Sequence, residues 1–205
     1  MPGDLVITAA VEGIVDEAVV RTLIQHVGAT PGEIYGRNGK QSLRRKVHGY
    51  NNAAQHSPWV ILVDLDQDAE CAPALRATWL ADPAPWLCFR IAVREVEAWL
   101  IADRLGIASF LRVALRVVPV DPESLPDPKE TMVHLARRSR SREIREDMVP
   151  RPESGRSIGP AYSSRLIEFA TKHWCPEKAA ANCESLRRAI ACLERLKESF
   201  GGRHV

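Results

Sequence analysis

Three apolar runs of this sequence end on acids. Glu12 closes "LVITAAV", Asp64 closes "WVILV" with Asp66 and Asp68 just beyond, and Glu95 and Glu97 follow "FRIAV". Asp16 and Glu17 come one turn after Glu12. Carboxylates gathered without counter-charge repel one another, so such a group calls for a cation. A donor set made only of oxygen suits the hard ions Mg2+ or Mn2+. Bound ions of this kind polarise a phosphoryl oxygen and activate water, so phosphodiester chemistry is the reaction class to weigh first.

The acids can meet only if the elements bearing them run side by side. Apolar runs at 5–11, 58–68 and 86–93 read as strands, the second the strongest because Trp59 to Val63 are bulky and mostly β-branched, and "GEIYG" (32–36) reads as a weak, short strand. Between them, apolar residues recur at helical spacing. Val15, Val19, Val20, Leu23, Ile24 and Val27 form one stripe, with Gly28 as its stop. "KQSLRRKVHGYNNAAQH" reads as a helix interrupted near Gly49, and "AECAPALRATWLAD" and "REVEAWLIADRLG" as two more. Alternating strands and helices predict an α/β fold: a mainly parallel sheet of about four strands, with helices on both faces. In such sheets ligands bind beyond the carboxyl ends of the strands, where these acids fall. After residue 105 the pattern is helical, over 127–139, 159–174 and 176–200, with a Pro/Gly-rich loop at 149–160. The expected organisation is an α/β domain over 1–105 and a helical C-terminal extension over 106–205 packed on it.

Each acid also has a plainer reading. Asp16, Glu17, Glu95 and Glu97 can serve as first-turn partners of helix dipoles, and Asp68 as a helix cap. Asp64-x-Asp66-x-Asp68 is not an EF-hand loop, because Ala69 and Leu75 stand where that loop needs glycine and glutamate. "YGRNGKQS" has the wrong glycine spacing for a P-loop, and Gln41 separates Lys40 from Ser42. Arg37, Lys40, Arg44 and Arg45 can meet phosphates beside a metal site, or form a solvated basic helix face. The arginines from Arg137 to Arg145 are diluted by Glu143, Glu146 and Asp147, which favours a salt-laced helix over a nucleic-acid groove. His26, His48, His56, His134, His173 and His204 have no metal-ligand spacing, and the five tryptophans sit mostly in apolar runs and read as core.

"VEGIVDEAVV" followed by "ILVDLDQD" resembles the TOPRIM domain of type IA and type II topoisomerases, primases and OLD-family nucleases. That domain is Rossmann-like. The resemblance implies that Glu12 is the strand-end glutamate, a metal ligand or general acid–base. It makes Asp64 and Asp66 the metal-binding DxD and Asp68 the third acid, and puts Asp16 where the OLD-type branch carries a further acid. "REVEAWLIAD", "DPKETMVHLARR" and "GPAYSSRLIEF" look like small bacterial TOPRIM-like domain-of-unknown-function proteins related to OLD and RloB. In that segment Glu97 is the preferred second-metal candidate, and Lys129 matches a recurrent lysine. The implied activity is a Mg2+- or Mn2+-dependent nuclease of phage defence. The implied alternative is a non-catalytic metal- or nucleic-acid-binding subunit that partners an ATPase. No topoisomerase tyrosine domain or primase zinc module accompanies the motifs.

Bulk properties narrow the field. The chain of 205 residues, 45% hydrophobic and 26% charged, can bury one sizeable core. A net charge of +2 gives no general attraction to nucleic acid, so any basic surface is local. Cys71, Cys88, Cys175, Cys183 and Cys192 show no CxxC spacing and read as reduced thiols of a cytoplasmic protein. No run approaches the roughly 20 apolar residues of a membrane span. The first residues lack the basic and apolar regions of a signal peptide. The amphipathic 176–200 segment could pair with a second copy.

Overall fold

The computed structural model of the protein describes residues 5–201; residues 1–4, where the leader reading partly falls, and His204 lie outside them. The chain forms two compact units. One runs up to Val93 and resumes at Ser185, and the other is Arg94–Glu184.

The first unit is α/β and Rossmann-like. Strands β1 (Val6–Val11), β2 (Thr30–Gly36), β3 (Trp59–Asp64) and β4 (Leu87–Ala92) form one sheet in the order β2-β1-β3-β4. Every pairing is parallel, with Ala10 opposite Tyr35 on one side and Ile61 on the other. Helices α1 (Ile14–His26), α2 (Lys40–Ala53) and α3 (Ala72–Trp79) connect the strands, and α10 (Glu184–Gly201) closes the chain. Side chains alternate across a strand. Ala10, Ile61, Val63, Phe89 and Ile91 share one face and pack with Leu43 and Val47 of α2 and Leu75 and Trp79 of α3. Burying that aliphatic and aromatic surface is worth about 25 cal/mol per Å² removed from water, the main force holding the layers together.

Helix α2 runs unbroken through Gly49. The interruption expected there is absent because Leu43 and Val47, both 1% exposed, anchor the helix on the sheet. That packing outweighs the roughly 1 kcal/mol that glycine costs a helix.

The second unit is helical: α4 (Val96–Ala102), α5 (Arg104–Phe110), α6 (Pro128–Arg137), α7 (Arg142–Met148), α8 (Tyr162–Lys172) and α9 (Pro176–Ala180), with short 3-10 turns between α5 and α6. The units divide at Val93 rather than residue 105. Every residue of α4 is buried, and that helix packs on α6 and α9 of its own unit. The "REVEAWLIADRLG" helix breaks at Asp103, whose carboxylate accepts the Gly106 and Cys175 amides at 3.0 Å each. The expected 176–200 helix also breaks. Asn182 donates to the Ala102 carbonyl at 3.1 Å, and Glu123 accepts the Glu184 amide at 2.7 Å, which starts α10 afresh. The acid-diluted basic segment is laced with ion pairs: Arg142 meets Glu146, and Arg165 meets Glu143, Asp147 and Glu168. All five tryptophans are buried, none more than 9% exposed.

Candidate functional site

Strand order decides what the acids of the first unit can do together. β1 connects through α1 to β2 on one side, while the chain returns to place β3 on its other side. The connections reverse direction between β1 and β3, and a crevice opens at such a switch point beyond the strand carboxyl ends. Glu12 is the first residue past β1 and Asp64 the last of β3. They meet there. A Glu12 carboxylate oxygen accepts the Asp64 backbone N–H at 2.9 Å, leaving the second oxygen for other work.

The loop after β2 folds over the same edge. The Arg37 amide donates to the Val11 carbonyl and the Gly39 amide to the Glu12 carbonyl, both at 3.0 Å, which fixes where α2 begins. Lys40, the first residue of α2, reaches across to Asp66 at 2.6 Å and Asp68 at 2.7 Å. Arg37 instead pairs with Glu17 at 3.1 Å, and Glu17 also holds Arg21 at 3.0 Å. Asp16, 7% exposed, is buried in the first turn of α1. Arg44 lies over the Trp79 ring, 5.9 Å from its centre, and Arg45 is exposed. Lys40, Arg44, Asp68, Thr78 and Trp79 line a cleft of about 530 Å³ beside the acids.

Of the four non-glycine residues with left-handed backbones among the described residues, two lie at this edge. Arg37 (φ 64°) and Asp66 (φ 49°) both hold left-handed conformations. For a non-glycine residue this costs about 1 kcal/mol or more, and such strain tends to collect at functional sites.

Burial pushes the Glu12 carboxyl up to about 7; the Asp64 N–H and the Lys40 charge pull it down, and Asp16 and Asp66 add to the rise. At neutral pH this carboxyl is poised to hold or release a proton, the range in which a general acid or base works best. Lys40 loses some basicity to burial. Its hydrogen bonds to Asp66 and Asp68, with the Glu12 charge, outweigh that loss and hold the ammonium protonated.

The donors present are hard oxygens: the second Glu12 oxygen, Asp64 and Asp66, with Asp16 behind. Their chemistry fits Mg2+ or Mn2+. As the side chains stand, no group of three or more His, Cys, Asp or Glu among the described residues is arranged to hold a metal. The cation between Asp66 and Asp68 is the Lys40 ammonium, so a metal bound at Asp66 would have to displace it.

A Lys40→Met exchange separates these roles. It should cost the metal-free protein only about 1 kcal/mol, because water screens both half-exposed carboxylates. It should also enlarge the rise in melting temperature on adding Mn2+, since the competing ammonium is gone. An unchanged Mn2+ response would show that Lys40 and metal do not compete.

Glu95 and Glu97 belong to the second unit and are engaged within it. Glu95 accepts the Lys129 ammonium at 2.8 Å and its amide at 2.9 Å, which gives Lys129 a role the sequence did not disclose. Glu97, 3% exposed, accepts the Tyr162 hydroxyl at 3.1 Å. Burial, then the charges of Glu97, Glu95 and Asp127, push the Tyr162 hydroxyl well up, so it stays protonated and donates.

Comparison with protein-family models, curated proteins and solved structures finds no match to this chain. Sequence reasoning placed Lys40 among phosphate-binding residues; its pairing with Asp66 and Asp68 carried no local signal, because α2 and the β3 end are distant in sequence. Among the described residues no helix is long and apolar enough to cross a membrane.

Proposed function

We propose that this chain is a TOPRIM-type, divalent-metal-dependent phosphodiesterase acting on nucleic acid. The observation that carries the reading is the Glu12–Asp64 hydrogen bond at the β1/β3 switch point, which ties the two sequence motifs into one acidic edge. In this reading Asp64, Asp66 and one Glu12 oxygen hold Mg2+ or Mn2+, with Asp16 and Asp68 as outer acids. The ion supplies polarisation of the phosphoryl oxygen and an activated water. Where that Glu12 oxygen does not ligate the ion, it would instead exchange a proton with the attacking water or the leaving oxygen. Lys40, once off Asp66, joins Arg44 and Arg45 of α2, with Arg37 of the preceding loop once it leaves Glu17, in neutralising the phosphate backbone. Glu97 has no part in this reading, because its carboxylate serves Tyr162. A cytoplasmic protein of phage defence, alone, as a homodimer or beside an ATPase, is the setting this activity would suit.

A second reading is a non-catalytic subunit that binds metal or nucleic acid for a partner ATPase. It is favoured by the Lys40 ammonium already seated between Asp66 and Asp68.

The deciding assay incubates supercoiled DNA and structured RNA with the protein in Mg2+, Mn2+ or EDTA, beside Asp66→Asn. Asparagine tolerates the left-handed backbone of residue 66, so this exchange removes charge without reshaping the loop. Cleavage that needs metal and falls by about 100-fold or more in the variant supports the first reading. Metal-dependent stabilisation without cleavage supports the second. Cleavage unchanged in Asp66→Asn removes this site from both.

A further inference from the structure

Away from the acidic edge, the first unit holds two thiols in contact. Cys88 lies on β4 and is fully buried. Two residues along, on the same face, is Arg90. Cys192, half-buried near the middle of α10, faces Cys88 with the two thiols in hydrogen-bond contact and no bond joining them. Arg195 follows Cys192 by three residues on α10 and so shares its side of the helix. Arg76 of α3 adds a third positive charge acting on Cys192. The Arg90 Nε is buried and has no hydrogen-bond partner among the described residues, leaving a cationic donor beside the pair. Arg90 and Arg195 act on both thiols and Arg76 on Cys192; with Cys88 fully buried and Cys192 only half-buried, a thiolate is favoured at Cys192, and the thiolate is the reactive form of cysteine.

We propose that Cys192 and Cys88 form a peroxide-reactive dithiol, Cys192 attacking and Cys88 resolving, whose oxidation links α10 to the edge strand β4. In the first step the Cys192 thiolate sulfur attacks one oxygen of hydrogen peroxide. The O–O bond breaks, Cys192 becomes a sulfenic acid, and hydroxide departs and takes up a proton. In the second step the Cys88 sulfur attacks the Cys192 sulfur, and the hydroxyl leaves as water with the Cys88 proton. Two thiols are oxidised to one disulfide while one peroxide is reduced to two waters.

The electrostatics agree with these roles. The Cys88 hydrogen bond lowers the Cys192 thiol against the upward pull of burial, with Arg90, Arg195 and Arg76 assisting. Burial pushes the Cys88 thiol well up, so it reacts only after Cys192 has been activated. Cys71, exposed at the start of α3, is an internal control. The disulfide would also close one covalent loop around every residue of Arg94–Glu184, constraining the unfolded chain.

The test treats the full-length protein with hydrogen peroxide in EDTA, then digests it without reduction for mass spectrometry. A Cys88–Cys192 linked peptide should form, and the melting temperature should rise and return on adding dithiothreitol. In Cys88→Ala, a sulfenic acid at Cys192 should be trapped by dimedone. In Cys192→Ala, neither link nor adduct should appear at Cys88. Cys192 should react about tenfold faster than Cys71 at neutral pH. Oxidation at Cys71 ahead of Cys192 would overturn the proposal, as would both thiols surviving peroxide in a folded protein. Readouts at the thiols are independent of whether the acidic edge cleaves nucleic acid.

Discussion

Glu12→Gln is expected to stabilise the metal-free protein at pH 8 by about 3 kcal/mol and to leave its stability unchanged near pH 4. The sign follows from the raised carboxyl, about 7 in the folded chain against an ordinary 4.5. Below 4.5 the group is protonated in both states and contributes nothing. Between 4.5 and 7 the unfolded chain gives up its proton first, so ionisation draws the equilibrium toward unfolding. Above 7 the full penalty of holding a buried charge is present. Glutamine keeps the acceptor for the Asp64 amide while removing the charge, so the penalty disappears. Thermal melts of both proteins in EDTA across pH 4–8 check this: the curves should coincide in acid and separate by about 5–10 °C in base. Parallel curves throughout would mean that Glu12 is solvated like an ordinary surface acid. Under the proposed function the same exchange should lower cleavage by about 100-fold or more, a gain in stability at the cost of activity. A polar residue kept only to cap a helix would show neither effect.

Gly36→Ala should destabilise the first unit by about 3 kcal/mol or more. Gly36 ends β2 with φ 96°, a conformation that residues with a side chain rarely adopt. A Cβ there would also run into the Val11 carbonyl oxygen, the group that accepts the Arg37 amide. That oxygen is backbone at the end of β1, an inner strand held on both sides, and cannot step aside, so the loop from Gly36 to Lys40 must lift. Lys40 would then lose its hold on Asp66 and Asp68. Gly39→Ala is the matched control: its φ is 81°, yet a Cβ there would meet nothing within 4 Å. Strain alone should cost it about 1 kcal/mol. Urea unfolding of the two variants separates strain from collision; equal losses would show that the Val11 contact is not what selects glycine at 36.

Both results turn on one local feature, the pinning of two loops onto the end of β1, and its components differ in how legible they were. Bulky β-branched residues from Trp59 to Val63 mark a buried strand by their own preference, and the stripe from Val15 to Ile24 marks α1 by its period. These are local properties, so they specify an α/β unit with acids at its strand ends without reference to distant segments. Glu12, Asp64 and Asp66 were legible as a group for the same reason: a strand end is a position along the chain.

Partnership across the chain was not legible. That β1 lies between β2 and β3, so that Glu12 reaches the Asp64 amide, depends on sheet order, which no single segment encodes. The Lys40 ammonium between Asp66 and Asp68, Tyr162 on Glu97, Lys129 on Glu95 and Cys192 on Cys88 are all contacts between distant segments. Gly49 and the 176–200 stretch misled for a related reason, since propensity was overruled by anchoring on the sheet in one case and by Asn182 and Glu123 in the other. Local sequence set which elements form and what chemistry each carries. Which charges meet follows from the folded arrangement, because a charge pair depends on distance in space, and the packing of buried apolar faces sets that distance.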